Sequence, residues 1–142
     1  MGKLFVQKFG GTSVATAERI KAVADIIIED IKVGNQVVAV LSAMGNQTEE
    51  LIYLAKKIDP TPNPREYDAL VSTGEQISVA LLAMALQKKG FLSKSYTAYQ
   101  LGIKTNTLHK QARILEVDVN RLKEDIKSGI IPVVTGFQGM NK

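Results

Sequence analysis

The 142 residues are 45% hydrophobic and 23% charged, the composition of one ordinary globular domain that buries a core, which sets disorder aside. There is no cysteine, and His109 is the single histidine, so disulfides, thiolate metal centres and histidine-rich metal sites are excluded. Lys and Arg total 18 against 14 Asp and Glu, a net charge of +4.

Residues 4–8 read as a short strand. Ala17, Ile20, Ala24, Ile27 and Ile31 then recur every three or four positions, predicting a helix that Gly34 and Asn35 stop. Residues 36–42 contain the unbroken apolar run VVAVL, which suits a parallel strand buried on both faces. Asn46 with Glu49 forms a capping-box variant ahead of Leu51, Leu54, Ala55 and Ile58, predicting a second helix. The prolines at 60, 62 and 64 break it, with Asn63 and Pro64 placed to cap and open the next helix. Ser72-Thr-Gly-Glu75 is again a capping-box sequence. Residues 77–86 are apolar on nearly every face, so a separate, deeply buried helix is predicted from there to about Gly90. Residues 94–99 and 114–118 read as strands, 120–127 as a short helix and 130–134 as a strand leading to Gly136-Phe-Gln-Gly139. The order β-α-β-α-α-β-β-α-β is that of an α/β three-layer sandwich on a mainly parallel sheet. A strand followed by GFQGMNK, where such a domain places a ligand loop and another helix, makes the fold look incomplete at its carboxyl end.

The basic excess is concentrated. From 76 to 115 there is no acidic residue, while Lys88, Lys89, Lys94, Lys104, Lys110 and Arg113 fall there. No helix-turn-helix or zinc-finger spacing and no interleaved aromatics accompany them, so nucleic acid is not expected, and an acidic partner segment suits this surface at least as well. The apolar residues near the start are interrupted by Gln7 and Lys8, too early for a signal or membrane segment, and a cytoplasmic protein is expected.

In KFGGTS, residues 8–13, a strand delivers Lys8 to its carboxyl end, two glycines let the backbone turn, and a helix follows. That is a natural anion site, because parallel sheets bind ligands beyond the carboxyl ends of their strands and helix-start N–H groups attract phosphate. The same residues equally fit a plain tight turn with a solvated lysine. Neither the Walker pattern nor G-x-G-x-x-G occurs.

VQKFGGTSV, residues 6–14, resembles the signature of the aspartate kinases of the amino acid kinase superfamily. Matching segments follow in order: VLSAMGNQTEEL, LVSTGEQISVALLAMAL, ARILEVD and VVTGFQGMN. The resemblance implies phosphoryl transfer from ATP, with Mg2+ carried by the nucleotide, to the side-chain carboxylate of L-aspartate. It also implies roles: Lys8 as the catalytic cation on the transferring phosphate; Phe9, Gly10, Gly11 and Ser42 beside ATP; Thr48 and Glu75 on aspartate. Glu75 has a plainer alternative as the partner of a Ser72 cap, and Thr48 as a first-turn helix residue. His109 reads as a loop or surface residue. Asn106 and Lys110 depart from the family, which commonly has an acid and a small residue there. The resemblance further implies that residues 1–142 are the amino-terminal portion of a kinase domain, lacking the carboxyl-terminal nucleotide-binding half and ACT regulatory domains. Such a portion is expected to be inactive alone. A non-catalytic alternative is an interaction module, either one piece of a split enzyme that pairs with a separate carboxyl-terminal piece or a remnant that binds a ligand without turnover; a homo-oligomer is the other partner expectation.

Overall fold

The computed structural model describes residues 2–106 and 113–136. His109, Lys110 and the residues after Gly136 lie outside the described residues. Four parallel strands form the central sheet: β1 Leu4–Phe9, β2 Gln36–Leu41, β3 Ser93–Tyr96 and β6 Ile131–Thr135, in the order β1-β2-β6-β3. The helices are α1 Ala17–Lys32, α2 Gln47–Ile58, α3 Pro64–Lys88 and α4 Asn120–Lys127. This is the expected α/β sandwich.

Strand alternation sends successive side chains to opposite faces of the sheet. Val37, Ala39, Leu41 and Val133 point to one face and join Ile20, Val23, Ala24 and Ile27 of α1 and Val79, Leu82 and Leu86 of α3 in the main core. Val38 and Val134 point to the other face, where Tyr96 and Leu101 complete a smaller cluster bordered by Leu122 and Ile126 of α4. Pro132 has no N–H to donate, and the β2–β6 pairing begins just after it, at Ala39 with Val133.

Both ends of α1 follow the sequence. The Thr16 hydroxyl accepts from the Arg19 N–H at 3.2 Å, and Gly34 takes φ +88° beyond the last turn, a conformation that favours glycine. Asn63 caps α3 by accepting from the Arg65 N–H at 2.9 Å, with Pro64 in its first turn. Asn46 sits at the N-cap of α2, but its side chain makes no capping bond there: after Gly45 at φ +47° its backbone takes φ −94° and ψ 14°, away from the extended conformation of a capping residue.

Three features differ from expectation. Ser72 does not start a new helix. Asn63 has already capped α3, and the Ser72 and Thr73 hydroxyls donate back to the Ala69 and Leu70 carbonyls at 2.8 and 2.7 Å, the mid-helix mode for these residues. Nor is residues 77–86 apolar because every face is buried: Ile77 and Met84, seven apart and on one side, are 44% and 55% exposed. Finally, residues 114–118 do not extend the main sheet. β5 Ile114–Glu116 pairs antiparallel with β4 Lys104–Thr105 as a separate ribbon, and β3 ends at Tyr96, before the expected Tyr99.

α4 is anchored by polar chemistry. Lys94 and Tyr96, two apart on β3, share a face and both donate to the Asp125 carboxylate, Lys94 at 2.8 Å. Burial disfavours the Asp125 charge, yet the Lys94 and Tyr96 hydrogen bonds hold its carboxyl below the usual range. Burial and the adjacent carboxylate push the Tyr96 phenol up to about 12.

Three lysines of the basic run find acidic partners inside the chain. Lys89 pairs with Asp25 at 2.7 Å, Lys94 with Asp125 at 2.8 Å and Lys104 with Glu116 at 2.7 Å.

Candidate functional site

Three adjacent strands, β1, β2 and β6, end on one edge of the sheet, and the loops leaving them are tied together. The Ser42 N–H donates to the Phe9 carbonyl at 3.1 Å, the Gly45 N–H to Gly11 at 3.0 Å, and the Gly136 N–H to Leu41 at 2.8 Å. Lys8, one residue before the end of β1, is exposed there, while the Phe9 ring packs against the main core. Lys8 thus stands at the carboxyl edge on a strand that its half-buried neighbour ties to the core.

The two glycines do different work. Gly11 is needed for close approach: a Cβ there would lie 3.0 Å from the Ala43 carbonyl oxygen and 3.3 Å from that of Gly45. Gly10 is extended at φ −76°, and no described residue lies within 4 Å of where its Cβ would be. The backbone at Gly10, two residues after the exposed Lys8, is therefore open to close approach from outside. The helical turn that follows is a short 3-10 segment, Gly11–Val14, with α1 starting only at Ala17. The glycines thus lie in a strand-end turn, ahead of any α-helix start.

Ser42 lies just past β2 and is half-buried. Thr48 is the second residue of α2 and Glu75 lies in α3, both half-buried. Their sequence neighbours bring the two helices together at the β2–α2 loop. A Cβ on Gly74 would sit 3.0 Å from the Ala43 Cβ, 3.4 Å from Leu51 Cδ1 and 3.6 Å from Gln47 Oε1. Lys8, Gly10, Gly11 and Ser42 therefore share the sheet edge, and the helix positions of Thr48 and Glu75 flank the loop beginning at Ser42. The plain reading of Glu75 as partner of a Ser72 cap falls away, because Ser72 lies within a continuous helix.

Sequence reasoning passed over three polar residues here. Ser78, fully buried, donates to the Ser42 carbonyl at 2.8 Å; it was hidden in an apolar run, although it stands one turn after Gly74. The Thr135 hydroxyl, at the carboxyl end of β6 and 3% exposed, has no partner among the described residues. Gln47 Oε1 is likewise buried without one. Unpartnered buried polar atoms are uncommon and cluster where function imposes them. Among the described residues no three His, Cys, Asp or Glu side chains gather as metal ligands.

Comparison with known proteins shows what this arrangement resembles. The model of the amino acid kinase family matches residues 3–142. An aspartokinase of Geobacillus stearothermophilus is 50% identical over 139 residues, covering 98% of this chain and 34% of the relative. The crystal structure of an aspartate kinase from Synechocystis superposes with a TM-score of 0.80 at 46% identity, over 96% of this chain and 22% of that one. Escherichia coli aspartokinase III, solved with aspartate and ADP, superposes at 0.84 with 21% identity over 100% of this chain and 42% of that one, a likeness of fold. The chain spans about a third of the length of the aspartokinase relatives it matches.

Proposed function

The chain belongs to the amino acid kinase family, and from that premise we propose that it supplies the phosphate- and aspartate-holding part of an aspartate kinase. The reaction is ATP + L-aspartate → ADP + 4-phospho-L-aspartate, leading towards lysine, threonine and methionine. The observation that carries this reading is the exposed Lys8 beside the open Gly10 backbone, on a sheet edge flanked by the helix positions of Thr48 and Glu75. Identities of 46–52% to aspartokinases support the choice of acceptor.

The chemistry asks little of the protein beyond placement and charge. An aspartate side chain with a reference pKa of about 3.9 is already ionised at neutral pH, so no base is needed. One carboxylate oxygen forms a bond to the γ-phosphorus, the bond from phosphorus to the β,γ-bridging oxygen breaks, and ADP leaves with that electron pair. Lys8 neutralises charge on the transferring phosphoryl group, and the Gly10-Gly11 turn with Phe9 and Ser42 lies along the nucleotide. Glu75 holds the substrate ammonium, and Thr48, in the first turn of α2, holds a substrate carboxylate near the positive helix end. When bound, Mg2+ supplies further charge neutralisation. With no acidic cluster among the described residues, the nucleotide phosphates would be its ligands.

A shell supplied only in part predicts little turnover, since losing one group of charge-stabilising contacts costs about 100- to 1,000-fold. A hydroxamate-trap assay for aspartyl phosphate tests the reading in two settings: the chain alone, and the chain fused in place of the matching segment of the Geobacillus aspartokinase. The fusion is expected to be active and Lys8→Ala to lower its rate at least ~100-fold. An inert fusion, or one indifferent to Lys8→Ala, overturns the kinase reading. Robust Lys8-dependent turnover by the chain alone overturns its inactivity.

A second reading, an interaction module that pairs with a separate carboxyl-terminal piece, is favoured by β1. It is an edge strand whose Leu4 and Val6 are 54% and 68% exposed. Mixing the chain with the remainder of the Geobacillus enzyme should give a complex on gel filtration; two separate peaks would sink this reading.

A further inference from the structure

We infer that Ser78 is a positioning residue that sets the spacing between the nucleotide side and the amino-acid side of the site. The inference rests on the assignment of Ser42 to the nucleotide and Glu75 to aspartate. Ser78 is fully buried, and its hydroxyl lies 2.8 Å from the Ser42 carbonyl and 3.0 Å from the Glu75 carbonyl. Its single proton therefore bridges the backbone of two residues 33 positions apart in the sequence, one at the end of β2 and one in α3. Helix periodicity places Gly74 one turn before it on the same face. There the missing Cβ lets α3 approach Ala43, the residue after Ser42, to within 3.0 Å of a Cβ position. Gly74 thus provides close approach and Ser78 provides registration, with Glu75 carried between them.

A mid-helix serine can bond back to its own helix alone and then does nothing for the site. The shorter bond to Ser42 is what makes this one different. It leaves the end of β2 little freedom to slide along α3, and an in-line transfer is sensitive to displacements of about 1 Å, which can cost about 100-fold.

Thr and Val have the same shape and differ by a hydroxyl, so Ser78→Thr and Ser78→Val isolate the hydrogen bond at equal volume. In the chain itself, S78V is expected to move the amide NMR signals of residues 42–45 and Glu75 relative to S78T. In the fusion with the Geobacillus remainder, S78V is expected to lower kcat at least tenfold relative to S78T, with KM for aspartate and for ATP each within threefold. A role confined to stability would lower the melting temperature and leave kcat of the folded enzyme alone. The inference is overturned if the amide signals of the two variants coincide, or if their kcat values agree within twofold. A fusion inactive with Ser78 in place counts against the kinase reading, and the amide comparison still decides Ser78.

Discussion

The two faces of the central sheet are built by different physics. On one, α1 and α3 bury a continuous apolar stripe against β2 and β6, and the Leu41, Leu82, Leu86 and Ile27 side chains are fully enclosed. On the other, four buried residues among those described make the cluster, and α4 is held by the Asp125 carboxylate as well as by apolar contact. Towards β1 that second face is open, with Val6 68% exposed. Every helical residue assigned to the site, Thr48, Glu75 and Ser78, comes from α2 or α3, on the thickly packed side or resting on it. A catalytic arrangement that depends on small displacements belongs on the element with the fewest alternative packings, which is what dense apolar contact supplies.

Substitutions can break that contrast, beginning with the largest effect. Leu82→Ala opens a cavity in the thick face and should cost about 2–5 kcal/mol, measured by urea unfolding. A cost under 1 kcal/mol would mean that this face is not the scaffold. Asp125→Asn removes the charge that Lys94 and Tyr96 serve and should cost about 1–3 kcal/mol, less than Leu82→Ala; if it costs more, the thin face is the stronger half. Tyr96→Phe leaves the Lys94 bond in place and should cost about 0.5–1.5 kcal/mol. Val6→Thr, on the open part of the sheet, should fall within about 0.5 kcal/mol of the parent.

The polar anchor also predicts a pH dependence that the apolar face does not share. Asp125 has a folded-state carboxyl below its ordinary value, so its contribution is present above that ordinary value and is lost as pH falls through the lowered one. Tyr96, raised to about 12, favours the folded state below its ordinary value near 10 and loses that contribution as pH rises through 12. Melting temperature against pH should therefore decline at both extremes. In Asp125→Asn the acid decline should shrink; an unchanged acid limb would remove Asp125 as its source.

Much of this was legible along the chain because it is governed by local rules. The 3.6-residue period of α1, the Asn63-Pro64 start of α3, the glycine stops and the apolar run of β2 each act within a few residues of themselves. The KFGGTS turn could be read as an anion site because strand-end geometry is equally local. The Ser72-Thr-Gly-Glu75 sequence misled for the same reason: it has the pattern of a helix start, yet that pattern acts only where the chain is not already helical, and Asn63 had settled the matter nine residues earlier. Asn46 shows the converse, an N-cap position whose side chain goes unused because its backbone is not in the extended conformation of a capping residue.

By itself, then, the order of residues determined the α/β alternation, the parallel sheet and the glycine turn that follows Lys8, since periodicity, capping and glycine placement are short-range. Which residues meet at the site was decided only by the tertiary structure. The bond from Ser78 to Ser42, the approach of Gly74 to Ala43 and the anchoring of α4 by Asp125 join positions between 29 and 36 residues apart, and the enclosure of Thr135 depends on what packs over it. No local propensity records such meetings, because their energy comes from the partner's position and not from the residue's own sequence neighbours.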